Sequence, residues 1–321
     1  MTATEVSSER SIQMANDSTR PVYVETQNSV RAFTIRNSFL VYVVLTLILG
    51  WTPWYLGIRP TQLWFVPFLT ALIMAPVVGG RKGLGTFLRR MVRIRSPWYT
   101  WVLVIFLPAA IAIASLGIHT LLGGQLPEAA LLNLSSATLL QLALLGLLYL
   151  LPLGSENLAE FGFRGFGIPA LQNKWGSLVG TLILGLFVSL WFLPQFFNED
   201  SPQTAMGGLS FLPFFILIEV GWSFMMTWVF NKSRGSSLIA GYIFHSAFNY
   251  WTVVLLVSAS VVGGEFEFAT SFDNTLLRIN AVLIALTAIG FIVATKGKLG
   301  YEPDGEMEAD TKVKEPAADL A

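Results

Sequence analysis

The chain of 321 residues contains no cysteine and only two histidines, and charged side chains make up just 12% of it. Without cysteine there can be no disulfide, thiolate metal site, thiol nucleophile or cysteine-linked lipid anchor. Two histidines, His119 and His245, severely limit any metal centre. The formal charge is zero, which by itself says nothing about partners. What the chain has in excess is apolar surface. Hydrophobic residues account for 54% of it and its mean hydropathy is +0.61, more than a soluble domain of this length can cover with polar surface.

The apolar residues fall in blocks of roughly 20, the length an α-helix needs to cross a bilayer core. They predict an all-α, polytopic transmembrane helix bundle of about eight spans, at 39–58, 62–80, 98–117, 136–154, 177–194, 209–230, 237–260 and 275–295. The charge spacing in SENLAEFGFRG predicts that the fourth span runs on as helix beyond the hydrocarbon layer. No secretory signal stands before residue 39, so the first span is expected to act as its own signal.

Assigning alternate loops to alternate sides segregates the basic residues. Arg31, Arg36, Arg81, Lys82, Arg89, Arg90, Arg93, Arg95, Arg164, Lys174, Lys232, Arg234, Lys296 and Lys298 share one side, whereas Arg59 and Arg278 lie on the other. The positive-inside rule then puts both termini in the cytoplasm of a multi-pass cell-membrane protein. Residues 1–36 read as a disordered cytoplasmic tail, 37–298 as the membrane domain with its motif core at 155–255, and the acidic stretch 299–321 as a second disordered tail. Between the second and third spans, Phe87, Met91 and Ile94 at helical spacing beside the arginines predict a helix lying on the membrane surface. Anionic headgroups near Arg81–Arg95 are its expected partners. No internal repeat stands out, leaving a transporter without direct support.

Ionisable groups at membrane depth cost about 2.5 to 3.5 kcal/mol each on insertion scales, so each needs a reason. Glu156, Glu160 and Arg164 are successive four-residue neighbours, which predicts an ion-pair ladder on one helix face. His245 and Asn249 are also four apart on an apolar stretch, and Glu219 lies in the sixth span. Adhesive hydrogen bonds between helices explain such groups without any chemistry; a catalytic role requires further partners. His119 reads as a loop residue.

Taken together, GSENLAEFGFRGFGIPALQNKWGSLVGTLILGLFVSLWFLPQFF and NKSRGSSLIAGYIFHSAFNYW resemble the motif regions of the CPBP family, which contains type II CAAX prenyl endopeptidases and bacteriocin self-immunity proteins. The resemblance covers roughly residues 76–255. The family pattern is a Glu-Glu pair, three residues and Arg; then Phe, three residues and His; then His, three residues and Asn or Asp. The first motif falls on Ala159, Glu160 and Arg164, so its leading glutamate is replaced by alanine. The second falls on Val188 and Phe192, where its histidine should stand. The third is intact as His245 and Asn249.

In active relatives the resemblance implies that the leading glutamate activates water, the histidines bind metal or orient that water, and the asparagine stabilises the oxyanion. Glu160, Arg164, His245 and Asn249 are therefore the family-motif site residues, with Glu156, one helical turn before the lost glutamate, as a substitute base. A zinc or another divalent metal is implied only for an active enzyme, and His245 is the one weak ligand candidate. Two functions follow: a pseudoprotease acting as scaffold, binder or regulator, or an intramembrane metalloendopeptidase relying on Glu156. Expected partners are the bilayer and a membrane-protein or peptide ligand, not nucleic acid.

Overall fold

The computed structural model describes residues 30–127, 140, 143, 144, 146, 147, 156–257, 259–262, 265–268 and 272–302. The molecule is a polytopic helical bundle. Its main helices are α1 (Ser38–Tyr55), α2 (Val66–Val92), α3 (Trp98–Leu121), α4 (Ala159–Gly162), α5 (Ile168–Trp191), α6 (Leu212–Lys232), α7 (Phe244–Leu256) and α8 (Asn274–Ala294). Among the described residues, six helical stretches are long and apolar enough to cross a membrane. The expected fourth span lies mostly outside the described residues. Its Gly146 faces the Tyr250 ring on α7.

Large apolar side chains line the outside, among them Leu40, Ile73, Phe106, Ile113 and Leu286, as lipid solvation allows and water does not. Inside, α6 packs against α5 and α8, and α3 against α7 and α8. Small residues permit these approaches. A Cβ on Gly185 would stand 2.8 Å from the Val220 Cα, and one on Gly221 would stand 2.6 Å from the Ile284 side chain.

Two glycines fold long helical stretches back on themselves. Gly80 within α2 has φ 59° and ψ −154°, and Gly176 within α5 has φ 73° and ψ 172°, a region essentially closed to residues with a Cβ. Residues eight or nine apart along one straight helix would be about 12 Å apart or more. Yet a Cβ on Gly83 would lie 2.4 Å from the Ala75 carbonyl oxygen, and one on Gly180 would lie 3.0 Å from the Leu171 Cβ. Both glycines therefore mark reversals. Beyond Gly176 the chain runs antiparallel to the stretch before it, so Gly167 meets Leu184 and Phe163 packs edge-on to Phe187 at 5.8 Å.

Several expectations are corrected. The basic helix after Gly80 ends at Val92 rather than reaching Ile94, and it is docked on the bundle: Phe87 is buried, stacked on Phe68. The expected seventh span stops at Leu256, where β-branched residues and a Gly-Gly sequence suit a hairpin. Ala259–Val262 pairs antiparallel with Glu265–Phe268, Val262 opposite Glu265. His119 belongs to the last turn of α3, is buried, and has its Nε2 3.1 Å from Asp273 Oδ2. Asp273 also caps α8, its Oδ1 accepting from the Leu276 amide. Residues 30–36 are already helical. Leu299 is buried, its carbonyl accepting from Asn231 Nδ2 at 2.9 Å. The remainder of both tails, 1–29 and 303–321, lies outside the described residues.

Candidate active site

Two π-helical turns bracket the polar centre of the bundle. The first, Phe163–Gly167, follows α4 and contains Arg164. The second, Leu238–Ile243, leads into α7 just before His245. Such wide turns are uncommon and collect at functional sites. Here glycines allow the chain around them to pack closely. A Cβ on Gly241 would stand 2.9 Å from the Glu160 Cβ and 3.0 Å from the Arg164 Cγ, and one on Gly162 would stand 2.2 Å from the Pro67 carbonyl oxygen. Ser236 opens the second π turn, its Oγ accepting from the Ile239 amide at 3.1 Å and donating to the Arg93 carbonyl at 2.5 Å. Arg90 Nη1 donates to the Gly165 carbonyl at 3.1 Å. The basic helix is thereby latched onto both turns.

Within this frame Glu160, Arg164 and His245 meet. Glu160 Oε2 is 2.9 Å from Arg164 Nε, and Glu160 Oε1 is 3.0 Å from His245 Nδ1. All three are buried. The Arg164 contact lacks hydrogen-bond alignment and holds by charge. Paired with the guanidinium, Glu160 accepts from His245, which fixes the imidazole proton on Nδ1. Arg164 also donates from Nη1 to Ser223 Oγ at 3.3 Å and from Nη2 to Met226 Sδ at 3.1 Å, both on α6. Beside the triad, Asn157 Nδ2 donates to Ser246 Oγ at 2.7 Å, and Phe161 stacks on Tyr242 at 5.3 Å.

The remaining candidates are placed differently. Asn249 follows His245 by one turn of α7 and is half-buried; no hydrogen bond joins it to the described residues. Glu219 is buried on α6. Glu156 opens a three-residue 3-10 turn, Glu156–Leu158; its side chain lies outside the described residues. Ala159 is buried on α4.

Phe192 ends α5, buried between Trp64 at 5.8 Å and Phe215 at 5.5 Å. Residues 160 and 192 both stand sixteen from Gly176 (176 − 160 and 192 − 176) on antiparallel arms. Phe192 therefore lies near the level of Glu160, within an aromatic wall.

The described side chains fall short of the ligand set of a catalytic zinc. Such a site needs three protein ligands, and no group of three His, Cys, Asp or Glu occurs among the described residues. His245 has Glu160 beside it, and Glu160 is committed to Arg164. Sequence reasoning found the triad but missed Ser223, Met226, Asn157 and Ser246, which carry no motif. It also missed the π turns, whose only signal is the run of glycines at 162, 165 and 167.

A family model described as type II CAAX prenyl endopeptidase Rce1-like matches residues 140–251, the stretch that carries this site. CAAX prenyl protease 2 of Methanococcus maripaludis is 26% identical over 229 residues, covering 66% of this chain and 81% of that relative. With the motif residues Glu160, Arg164, His245 and Asn249 in place within a helical membrane bundle, the chain is similar over this stretch to the CAAX-protease-like membrane proteins of the CPBP family.

Proposed function

We propose that this protein is a non-catalytic member of its family, a pseudoprotease that binds a peptide or membrane-protein partner at the former substrate site. One observation carries the reading: the acid retained by the motif is consumed structurally. Glu160 holds Arg164 with one oxygen and His245 with the other, so taking a proton from water would neutralise the buried charge on which both partners depend. Peptide hydrolysis needs both a base and a polarising centre. The positions that supply them in active relatives are Ala159 and Phe192. Losing members of a catalytic unit is far from mild.

The test is hydrolysis of a prenylated CAAX peptide by the purified chain with divalent metal added, alongside peptide binding by the same preparation. Binding without turnover is expected. Turnover that vanishes in Glu156→Gln or His245→Ala would establish the endopeptidase reading instead. The substitutions Ala159→Glu and Phe192→His, made together, provide the matching gain-of-function arm.

A further inference from the structure

Between α1 and α5 lies a lateral groove of about 500 Å³, within the range of small-ligand sites, roughly 300 to 1,000 Å³. Its walls are apolar: Phe39 and Val43 from α1, Leu186 and Leu190 from α5. Its mouth is basic, formed by Arg36 and Lys174, and no Asp or Glu lines it. Lys174 Nζ donates to the Arg36 carbonyl at 3.4 Å, closing the groove at one end, and lies 5.5 Å from the ring centre of Trp175, which is 54% exposed.

Arg36 stands two residues before α1, and Lys174 two before the Gly176 reversal. Both cations are therefore at a membrane–water interface, whichever way the chain is oriented. Neither is paired with a carboxylate among the described residues. An exposed tryptophan at that level is the usual interfacial anchor. Cations above an apolar trench between transmembrane helices complement a negatively charged headgroup joined to a hydrocarbon chain.

We propose that this groove holds one anionic phospholipid, its phosphate at Arg36 and Lys174 and an acyl chain along Phe39, Val43, Leu186 and Leu190. The site is separate from the Glu160 centre and does not depend on whether that centre is catalytic. Native mass spectrometry of the purified full chain, titrated with phosphatidylglycerol or with phosphatidylcholine of identical chains, tests it. One phosphatidylglycerol per chain is expected to be retained in preference to phosphatidylcholine.

The double change R36Q and K174Q should weaken phosphatidylglycerol binding about 30-fold, from two surface cations worth roughly 5-fold each. Leu186→Trp, which fills the trench, should weaken both lipids. An unchanged unfolding temperature in each variant shows that the fold survives. Equal retention of the two lipids, or phosphatidylglycerol binding unaffected by R36Q and K174Q, overturns the proposal. So does displacement of the lipid by inorganic phosphate alone, or by an equimolar farnesylated peptide, which would make the groove a peptide site.

Discussion

Replacing Arg164 by alanine removes the guanidinium that faces Glu160 at 2.9 Å and leaves a carboxylate buried with only His245 at 3.0 Å. Two magnitudes compete. Hydrogen bonds between membrane helices average about 0.6 kcal/mol in double-mutant cycles, whereas stranding one member of a buried ion pair costs about 3 to 5 kcal/mol. The second governs here, because Arg164 is 1% exposed and Glu160 2%, leaving neither water nor headgroups to take over. His245 can share the orphaned charge, so the expected loss for Arg164→Ala is about 3 kcal/mol, the lower end of that range. Glu160→Gln keeps an acceptor for His245 and leaves Arg164 with Ser223 and Met226, and should cost less. In the double variant the two losses should overlap by about 1 to 3 kcal/mol, as for residues in one network. Unfolding of the purified protein in mixed micelles measures all four corners of the cycle. Additivity within about 0.5 kcal/mol would show that no energetic pair exists and would refute the structural role assigned to Glu160.

Other outcomes follow from the same geometry. Gly241→Ala and Gly162→Ala should each destabilise by about 1 to 3 kcal/mol through overpacking, since the new methyl would meet Glu160 and Arg164 or the Pro67 carbonyl; thermal unfolding in detergent checks this. Metal analysis of the purified chain should find no stoichiometric zinc, and one zinc per chain that disappears in His245→Ala would overturn the pseudoprotease. Tags at either terminus should be protected in intact cells and tags near Glu199 or Glu265 reachable, as the arginine distribution requires. Asp273→Ala removes both the α8 cap and the partner of His119 and should lower stability by about 1 kcal/mol.

The bundle itself was legible because bilayer thickness writes its length into the sequence as apolar blocks. The Glu160–Arg164 pair was legible because four-residue spacing survives within one turn of helix. The 3-10 turn that begins at Glu156 carries no sequence signal that separates it from the helix after it. His119 was misread as a loop residue because its partner, Asp273, lies far along the chain, and no local pattern announces a long-range bond. Phe87 was assigned to the lipid surface from its amphipathic setting. The reversal at Gly80, set by one backbone conformation, turns it inward. Ser223 and Met226 escaped notice because an apolar helix carries serine and methionine for many reasons, and only the arrival of Arg164 gives them a role.

The π turn at Phe163–Gly167 also bears on how this site can change over time. Closing hydrogen bonds five residues apart accommodates one residue more than the ordinary helix would. Deleting one residue there would let the segment close as ordinary helix while the stretches on either side keep their directions. A loss after Arg164 would also keep the four-residue spacing of Glu160 and Arg164, so the turn gives this segment one residue of slack.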